Sequence, residues 1–493
     1  MSAITDAIVY GIRKFLRIEP PQERHVVIRD LLTHEGNCAK NRIWYRGLPN
    51  QLSEFYRALP DSTLFWAAKQ TRGLEIRKIH TGLPAIVIDM IVNIVCNDFN
   101  GIEFESENTN KERWEEIAKD NDFEELLSEA VKECAIVGDG AFKISVDPEI
   151  SENPILEFYP ADRVRYVYKR GRLREVHFYT EIKHDHKLYE LVEKYGYGFI
   201  RYELCAENGK KLELDAIPET AWAKGKDVSF DQSLIWAVPM IYSKSAVYKG
   251  RGKALLDSKD TAGDALDESI SQWMDALRAG RTQTYIPETL VPRDPVTLTP
   301  IRPNAFDNRF IAVGDNMQEN GRSEIKNVSP EIRHDAYLAT YITALDLFLQ
   351  GVISPSTIGI DVKKLDNAEA QREKEKTTLY TRQNFVEMIQ KTLPKLVLCV
   401  LNADLALRSQ PLIKGIEIKA KFGEYANPSF ESQVETVGKA KTNGIMSIEQ
   451  SVEELYGDSK DDEWKATEVA RIKNEQGIVE LSEPKTLDDL TLV

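Results

Sequence analysis

Two stretches of the chain carry apolar residues at helical spacing, and a proline-studded insert separates them. Within 252–278, Leu255, Ala262, Leu266, Ile270, Trp273 and Leu277 fall on one face at about 100° per residue. Within 329–350, Ile332, Ala336, Ala339, Ile342, Leu345 and Leu349 repeat the pattern. The second stretch opens with Ser329-Pro330-Glu331, an N-cap, a proline for the first turn and an acid suited to the macrodipole. Gly351 stands where a C-cap glycine belongs. The insert holds Pro287, Pro292, Pro295, Pro300 and Pro303, so the expected shape is two stalks carrying a small β-rich tip. A turn-rich loop follows at 354–366. Beyond it the pattern predicts one very long helix from about Asn367 toward Leu407, polar in its first half, apolar in its second and kinked at Pro394.

Elsewhere the periods are shorter. Ile4, Ala7, Ile8, Ile12, Phe15 and Leu16 form an amphipathic helical stripe suited to docking on a partner or the body, or to a membrane surface. Helices are predicted over 84–97 and 114–137, the latter closed by Gly138-Asp139-Gly140. Residues 141–147 alternate as a strand, and short alternating runs recur at 155–159, 163–168, 174–181, 187–193 and 198–204. With turns at Gly171 and Asn208-Gly209, these runs predict an antiparallel sheet, so the first half is α+β. A strand at 415–424 and helices at 428–441, 448–455 and 462–474 complete a helix-rich chain. Ser447 and Gln450 make a capping box for the second of these helices, and the residues from 477 on read as a polar, acidic, mobile tail.

Opposite the apolar face of the first stalk lie Asp257, Asp260, Asp264, Asp267, Glu268 and Asp275. Such a stripe is either the wet side of a helix or a wall presented to a polyanion that must not stick. A third reading, divalent cations held for a metal-dependent nuclease, is weakened because two-metal carboxylates usually come from several elements. The net charge of −15 argues against a tight electrostatic nucleic-acid binder. A chain of 493 residues predicts about three domains. Cys38, Cys96, Cys134, Cys205 and Cys399 are scattered, which suits buried thiols in a reducing compartment. No secretory pattern or bilayer-length apolar run is evident, so the expectation is an intracellular soluble protein.

Catalytic signatures are missing. Gly250-Arg251-Gly252-Lys253-Ala254 lacks the spacing and hydroxyl of a phosphate-binding loop. His184-Asp185-His186 has no nearby His or Cys to complete a metal set and reads as a surface turn. There is no Gly-x-Ser-x-Gly, so neither an enzyme nor a cofactor is expected.

The chain resembles the portal proteins of tailed bacteriophages, of the long-tailed siphovirus type. The carriers are Gly138-Asp139-Gly140-Ala141-Phe142, the stretch from Gly250 to Asp257, Pro355-Ser356-Thr357-Ile358-Gly359 with Asn367-Ala368-Glu369-Ala370, and Thr442-Asn443-Gly444-Ile445-Met446-Ser447. The resemblance implies a ring of twelve subunits whose channel passes double-stranded DNA weakly and without sequence specificity. It implies a wing at 1–248, a first stem helix at 249–279, a clip at 280–328, a second stem helix at 329–350 and a tunnel loop at 351–366. A long kinked helix returning to the wing would occupy 367–426, and a helical crown with a mobile tail 427–493. Lys363 and Lys364, with Ser354 and Thr357, would face the DNA. The large terminase subunit and head-completion or adaptor proteins would dock on the clip, and major capsid and scaffolding proteins on the wing. The competing expectations are the nuclease and a channel-less scaffold or adaptor.

Overall fold

The computed structural model describes residues 32–475 apart from 60–62, 71–75, 105–107, 302–309, 315–324, 329–330, 361–367, 414, 424–429, 457–459 and 461. The stripe at 4–16, the acidic tail, Ser329, Pro330, Lys363 and Lys364 lie outside these residues. The described chain mixes helix and sheet and falls into two compact units, Met1–Lys421 and Phe422–Val493.

Two helices precede the first one expected in this region. Helix α1 (His34–Arg46) starts where the Thr33 hydroxyl accepts the Gly36 N–H, and ends at Gly47 with φ 67°. Helix α2 (Pro49–Ala58) has proline in its first turn. Trp44 of α1 and Leu52 and Tyr56 of α2 form a small core with Phe65 and Trp66 of the segment that follows. Within it the Trp44 indole donates to the Tyr56 hydroxyl at 2.6 Å.

Helix α3 (Leu83–Asn97) and strand β1 (Phe99–Phe104) follow. The single helix expected over 114–137 is two, α4 (Asn108–Asp120) and α5 (Phe123–Val137). Asn121-Asp122 breaks it: Asp122 adopts φ 46°, and the Asn121 amide donates to the Ile117 and Pro154 carbonyls while accepting the Leu156 N–H. Short polar side chains of this kind offer the backbone an alternative to the helical ladder.

Strand β2 (Asp139–Ser145) lies between β3 (Ile155–Pro160) and a later strand, β10 (Ala237–Ile241), in an antiparallel sheet. A second sheet is a meander of β4 (Val164–Lys169), β5 (Arg172–His184), β6 (Lys187–Gly196), β7 (Phe199–Ala206) and β8 (Lys211–Leu212), with β9 (Val228–Ser229) also on β7. The predicted strands are therefore present, β2 and β4 shifted by one or two residues and the others longer than their alternating centres. Asp185 and His186, with φ 49° and 61°, make the two-residue turn between β5 and β6, and His184 meets Glu219 at 3.0 Å.

Helix α6 (Asp260–Ala279) leads into a three-stranded tip and helix α7 (His334–Leu349) returns. In the tip, β11 (Gln283–Pro287) pairs parallel with β12 (Phe310–Val313) and antiparallel with β13 (Lys326–Val328). Both stalk helices begin later than their apolar periodicity: residues 249–259 form turns, so Leu255 and Asp257 precede α6.

Helix α8 (Ala368–Leu407) runs 40 residues with Pro394 inside it. Its second half is the centre of the main core, where Phe385, Ile389, Leu393, Leu396, Val397 and Val400 are buried. Strand β14 (Ile418–Phe422) pairs with β1. In the second unit, α9 (Phe430–Thr442), α10 (Ile448–Tyr456) and α11 (Asp462–Glu475) match the predicted spans within two residues. The Ser447 hydroxyl accepts the Gln450 N–H at 3.1 Å, as the capping box requires. No helix among the described residues is long and apolar enough to cross a membrane.

Candidate functional site

The hairpin of α6, tip and α7 is the element around which the candidate residues gather. Its root is closed by Lys259, whose ammonium donates to the Leu347 carbonyl at 3.0 Å and the Gln350 carbonyl at 2.6 Å. Those are orphan acceptors at the end of α7, so a residue just before one stalk caps the other. Burial, then Lys253, lowers the Lys259 pKa. Gly263 admits the close approach of Trp44 and Phe348: a Cβ there would lie 3.1 Å and 3.3 Å from their rings. Toward the tip the helices cover each other less. Met274 and Leu277 on α6, and Leu338 on α7, are exposed.

The middle of the acidic stripe is turned to other parts of the chain rather than to water. Asp264 is 5% and Asp267 1% exposed, and both hold the segment that follows α2. Asp264 accepts the backbone N–H groups of Phe65 (2.8 Å) and Trp66 (3.2 Å). Asp267 accepts the Trp66 indole N–H (3.2 Å), the Thr81 N–H (2.9 Å) and the Thr81 hydroxyl (3.1 Å), and lies 2.7 Å from His80 Nδ1. The Ser271 hydroxyl accepts the Ile79 N–H one turn later. Nearer the root, Asn37 and Asn41 donate to Asp257, and buried Lys40 meets Asp260 at 2.6 Å. Among the described residues, Glu268 and Asp275 stay partly exposed with no hydrogen bond off their own helix. Burial raises the Asp264 pKa against the opposing pull of its two backbone donors. Four of these carboxylates thus hold α1 and the segment after α2 onto the stalk.

At the far end of α7, Gly351 (φ 75°) begins the loop expected to face DNA. Ser354 is instead buried, its N–H donated to the Thr378 hydroxyl on α8 at 2.9 Å, and Thr357 meets the same hydroxyl at 3.1 Å. The Thr381 hydroxyl donates to the Val352 carbonyl at 2.6 Å. Ser354 and Thr357 therefore anchor the loop to α8.

Along the chain Gly138-Asp139-Gly140 and Gly250-Arg251-Gly252 are separate turns; the fold brings them together. A Cβ on Gly252 would sit 2.0 Å from the Gly138 carbonyl oxygen, so the backbones meet where only glycine fits. Asp139, fully buried, accepts the Gly252 N–H at 2.5 Å and the Tyr166 hydroxyl at 3.2 Å, and lies 3.1 Å from Arg251. Arg251 also donates to the Val164 carbonyl at 2.8 Å, to the Ala161 carbonyl, and to His34 Nε2 at 3.1 Å. Burial, then Arg251, lowers the His34 pKa to about 4, which keeps the imidazole neutral and able to accept. This junction ties β2, β4 and α1 to the chain entering α6. Two glycine-bearing turns of similar composition are its only trace in the sequence.

Among the described residues no group of three or more His, Cys, Asp or Glu could hold a metal ion. The family model described as phage portal protein, SPP1 Gp6-like, matches residues 37–477. No curated protein matches the chain. Among solved structures, a chain in the virion of a native gene transfer agent particle is similar at 13% identity, over 79% of this chain and 89% of that one, with a TM-score of 0.38. A chain in the neck of the native particle, computed with C12 symmetry, is similar at 14% identity, over 76% of this chain and 89% of that one, with a TM-score of 0.36.

Proposed function

We propose a role from one premise: the chain belongs to the family of phage portal proteins, SPP1 Gp6-like. As a portal protein it is a virion component of the portal vertex. In our reading it assembles into a ring, of twelve subunits in the particle, whose channel passes the double-stranded genome during packaging and ejection. The part plan follows the family: wing 1–248, stem helices within 249–279 and 329–350, clip 280–328, tunnel loop 351–366, long helix and return 367–426, crown 427–493. The tip is then the docking platform for the terminase motor and, later, for head-completion or adaptor proteins. Capsid and scaffolding proteins meet the wing. Lys363 and Lys364 make transient phosphate contacts, and Pro394 bends α8 along the channel.

The observation that carries the ring is the outer part of the hairpin. Met274, Leu277 and Leu338 on the outer part are apolar and exposed, as is Leu347 nearer the root. A neighbouring stem would cover them, and large exposed side chains clustered on paired helices mark such contacts. Electron microscopy of the purified protein tests this reading: annular particles are expected, and monomers alone under all conditions would overturn it. The nuclease reading loses its footing, because Asp264 and Asp267 spend their oxygens on Phe65, Trp66, His80 and Thr81. Incubation with DNA and magnesium or manganese is expected to give no cleavage.

A further inference from the structure

The chain is acidic, yet one hairpin reverses that balance. Strands β4 and β5 meet at the turn Arg170-Gly171, and Lys169 and Arg172 lie directly opposite each other beside it. Arg174 follows at the register shift, since Val167 pairs with Glu175 and Tyr168 with Leu173. Lys169, Arg170, Arg172 and Arg174 are all exposed, and none has a carboxylate partner among the described residues. Other cations near the hairpin have carboxylate partners: Arg163 meets Glu181, Arg165 meets Glu35, and His177 meets Glu175. A fifth exposed cation, Lys249, lies on the adjoining loop, where the Tyr168 hydroxyl donates to the Gly250 carbonyl at 3.4 Å.

Two features of this hairpin work against its own stability. Like charges directly across an antiparallel pair repel. A two-residue turn with φ of 51° and 76° favours Asn or Asp before the glycine, and this chain has Arg170 there. The first of these costs is relieved once a polyanion covers the tip.

We infer that the end of the β4–β5 hairpin is a binding surface for the phosphate backbone of duplex DNA, outside the channel. Three of its four tip cations are guanidinium groups, whose planar fork matches phosphate in two-point contact. A two-stranded ribbon is also of a width that DNA grooves admit. Exposed apolar surface on the hairpin is confined to Val167 and Tyr168, 38% and 39% exposed. That is less than the apolar centre a stable protein interface needs, so an acidic protein partner is the poorer fit. The site goes beyond the channel reading and does not depend on it, because an anion held on the sheet need not thread a ring.

The test uses covalently closed circular duplex DNA, which cannot thread an assembled ring. Binding is measured by filter retention or gel shift from 50 to 200 mM salt, for the full chain and for a variant with Lys169, Arg170, Arg172 and Arg174 all changed to alanine. The slope of log K against log[salt] is expected to flatten by about 0.9 for each phosphate no longer neutralised, roughly 3.6 if all four cations engage. Arg170→Asn, which suits the turn better, is expected to fold at least as well and to flatten the slope by about 0.9. Microscopy of the same variants checks that ring formation is unchanged, so loss of rings and loss of circle binding are read separately. Slopes equal to wild type in both variants would overturn the inference. So would circle binding kept intact while binding to polyglutamate is lost.

Discussion

Asp267→Ala probes the clasp that holds the segment after α2 onto the first stalk. The carboxylate is 1% exposed and takes three donated hydrogen bonds in addition to His80. Without it, the Thr81 hydroxyl can rotate, but His80 strands a ring N–H in either tautomer, because its Nε2 is buried with no hydrogen-bond partner among the described residues. The Trp66 indole N–H and the Thr81 backbone N–H are fixed and remain unpaired in a dry site. Each stranded donor costs about 1–3 kcal/mol, and relief from burying a charge offsets part of that. The net expectation is about 3 kcal/mol of local stability, or roughly 100-fold in the local opening equilibrium. Asp267→Asn keeps one oxygen for Thr81 but leaves one ring N–H of His80 unpaired, so a smaller loss of about 1–2 kcal/mol is expected there. Hydrogen exchange at the amides of Trp66, Ile79 and Thr81 reads this directly. Protection should fall in the order wild type, Asn, Ala, while amides in α9–α11 stay unchanged. Equal protection in wild type and Asp267→Ala would refute the clasp.

His34 supplies a pH signature: its folded pKa, about 4, lies below its ordinary 6.5, so its contribution is present above pH 6.5 and is lost as pH falls toward 4. Denaturant titrations at pH 7 and 4.5 should show wild type losing about 1 kcal/mol more than His34→Gln, after allowance for solvent screening; parallel losses would show that His34 carries none of it. Gly252→Ala forces a methyl to within 2.0 Å of the Gly138 oxygen, and a loss of about 3 kcal/mol or failure to fold is expected, whereas Gly101→Ala, with open space around it, should cost about 1 kcal/mol. Urea unfolding compares the two, and equal effects would mean the glycine junction is not a tight one. Changing Lys363 and Lys364 to glutamate is expected to leave rings intact in the microscope while altering DNA packaging or retention; failure to assemble would make them interface residues.

The strands of the meander and the three carboxyl-terminal helices are legible because their signals are local. Alternation, turn glycines and the Ser447–Gln450 cap act over two to four residues. Helices α1 and α2 are not legible, since their apolar residues are few and chiefly aromatic, and they pack around Trp66 rather than along one stripe. Periodicity places the start of α6 too early, because Leu255 keeps the helical phase although the chain around it is in turns. Periodicity marks which residues will be buried together, and turns can bury them as well as a helix can. Family likeness assigns Ser354 and Thr357 to the DNA, while their local composition says nothing of the Thr378 hydroxyl that holds them.

By itself the sequence determined the two stalks, the β-containing tip, the antiparallel meander and the long helix through Pro394. These follow from side-chain period and backbone restriction, which act between neighbours along the chain. Only the tertiary structure decided what the acidic stripe is for. Asp264 and Asp267 look like surface residues by type, yet N–H and O–H donors nearly 200 residues away satisfy them and draw them inside. The approach of Gly252 to Gly138 is likewise invisible in either turn alone. A carboxylate's place depends on whether its lost hydration is replaced, and that replacement is supplied by distant parts of the chain.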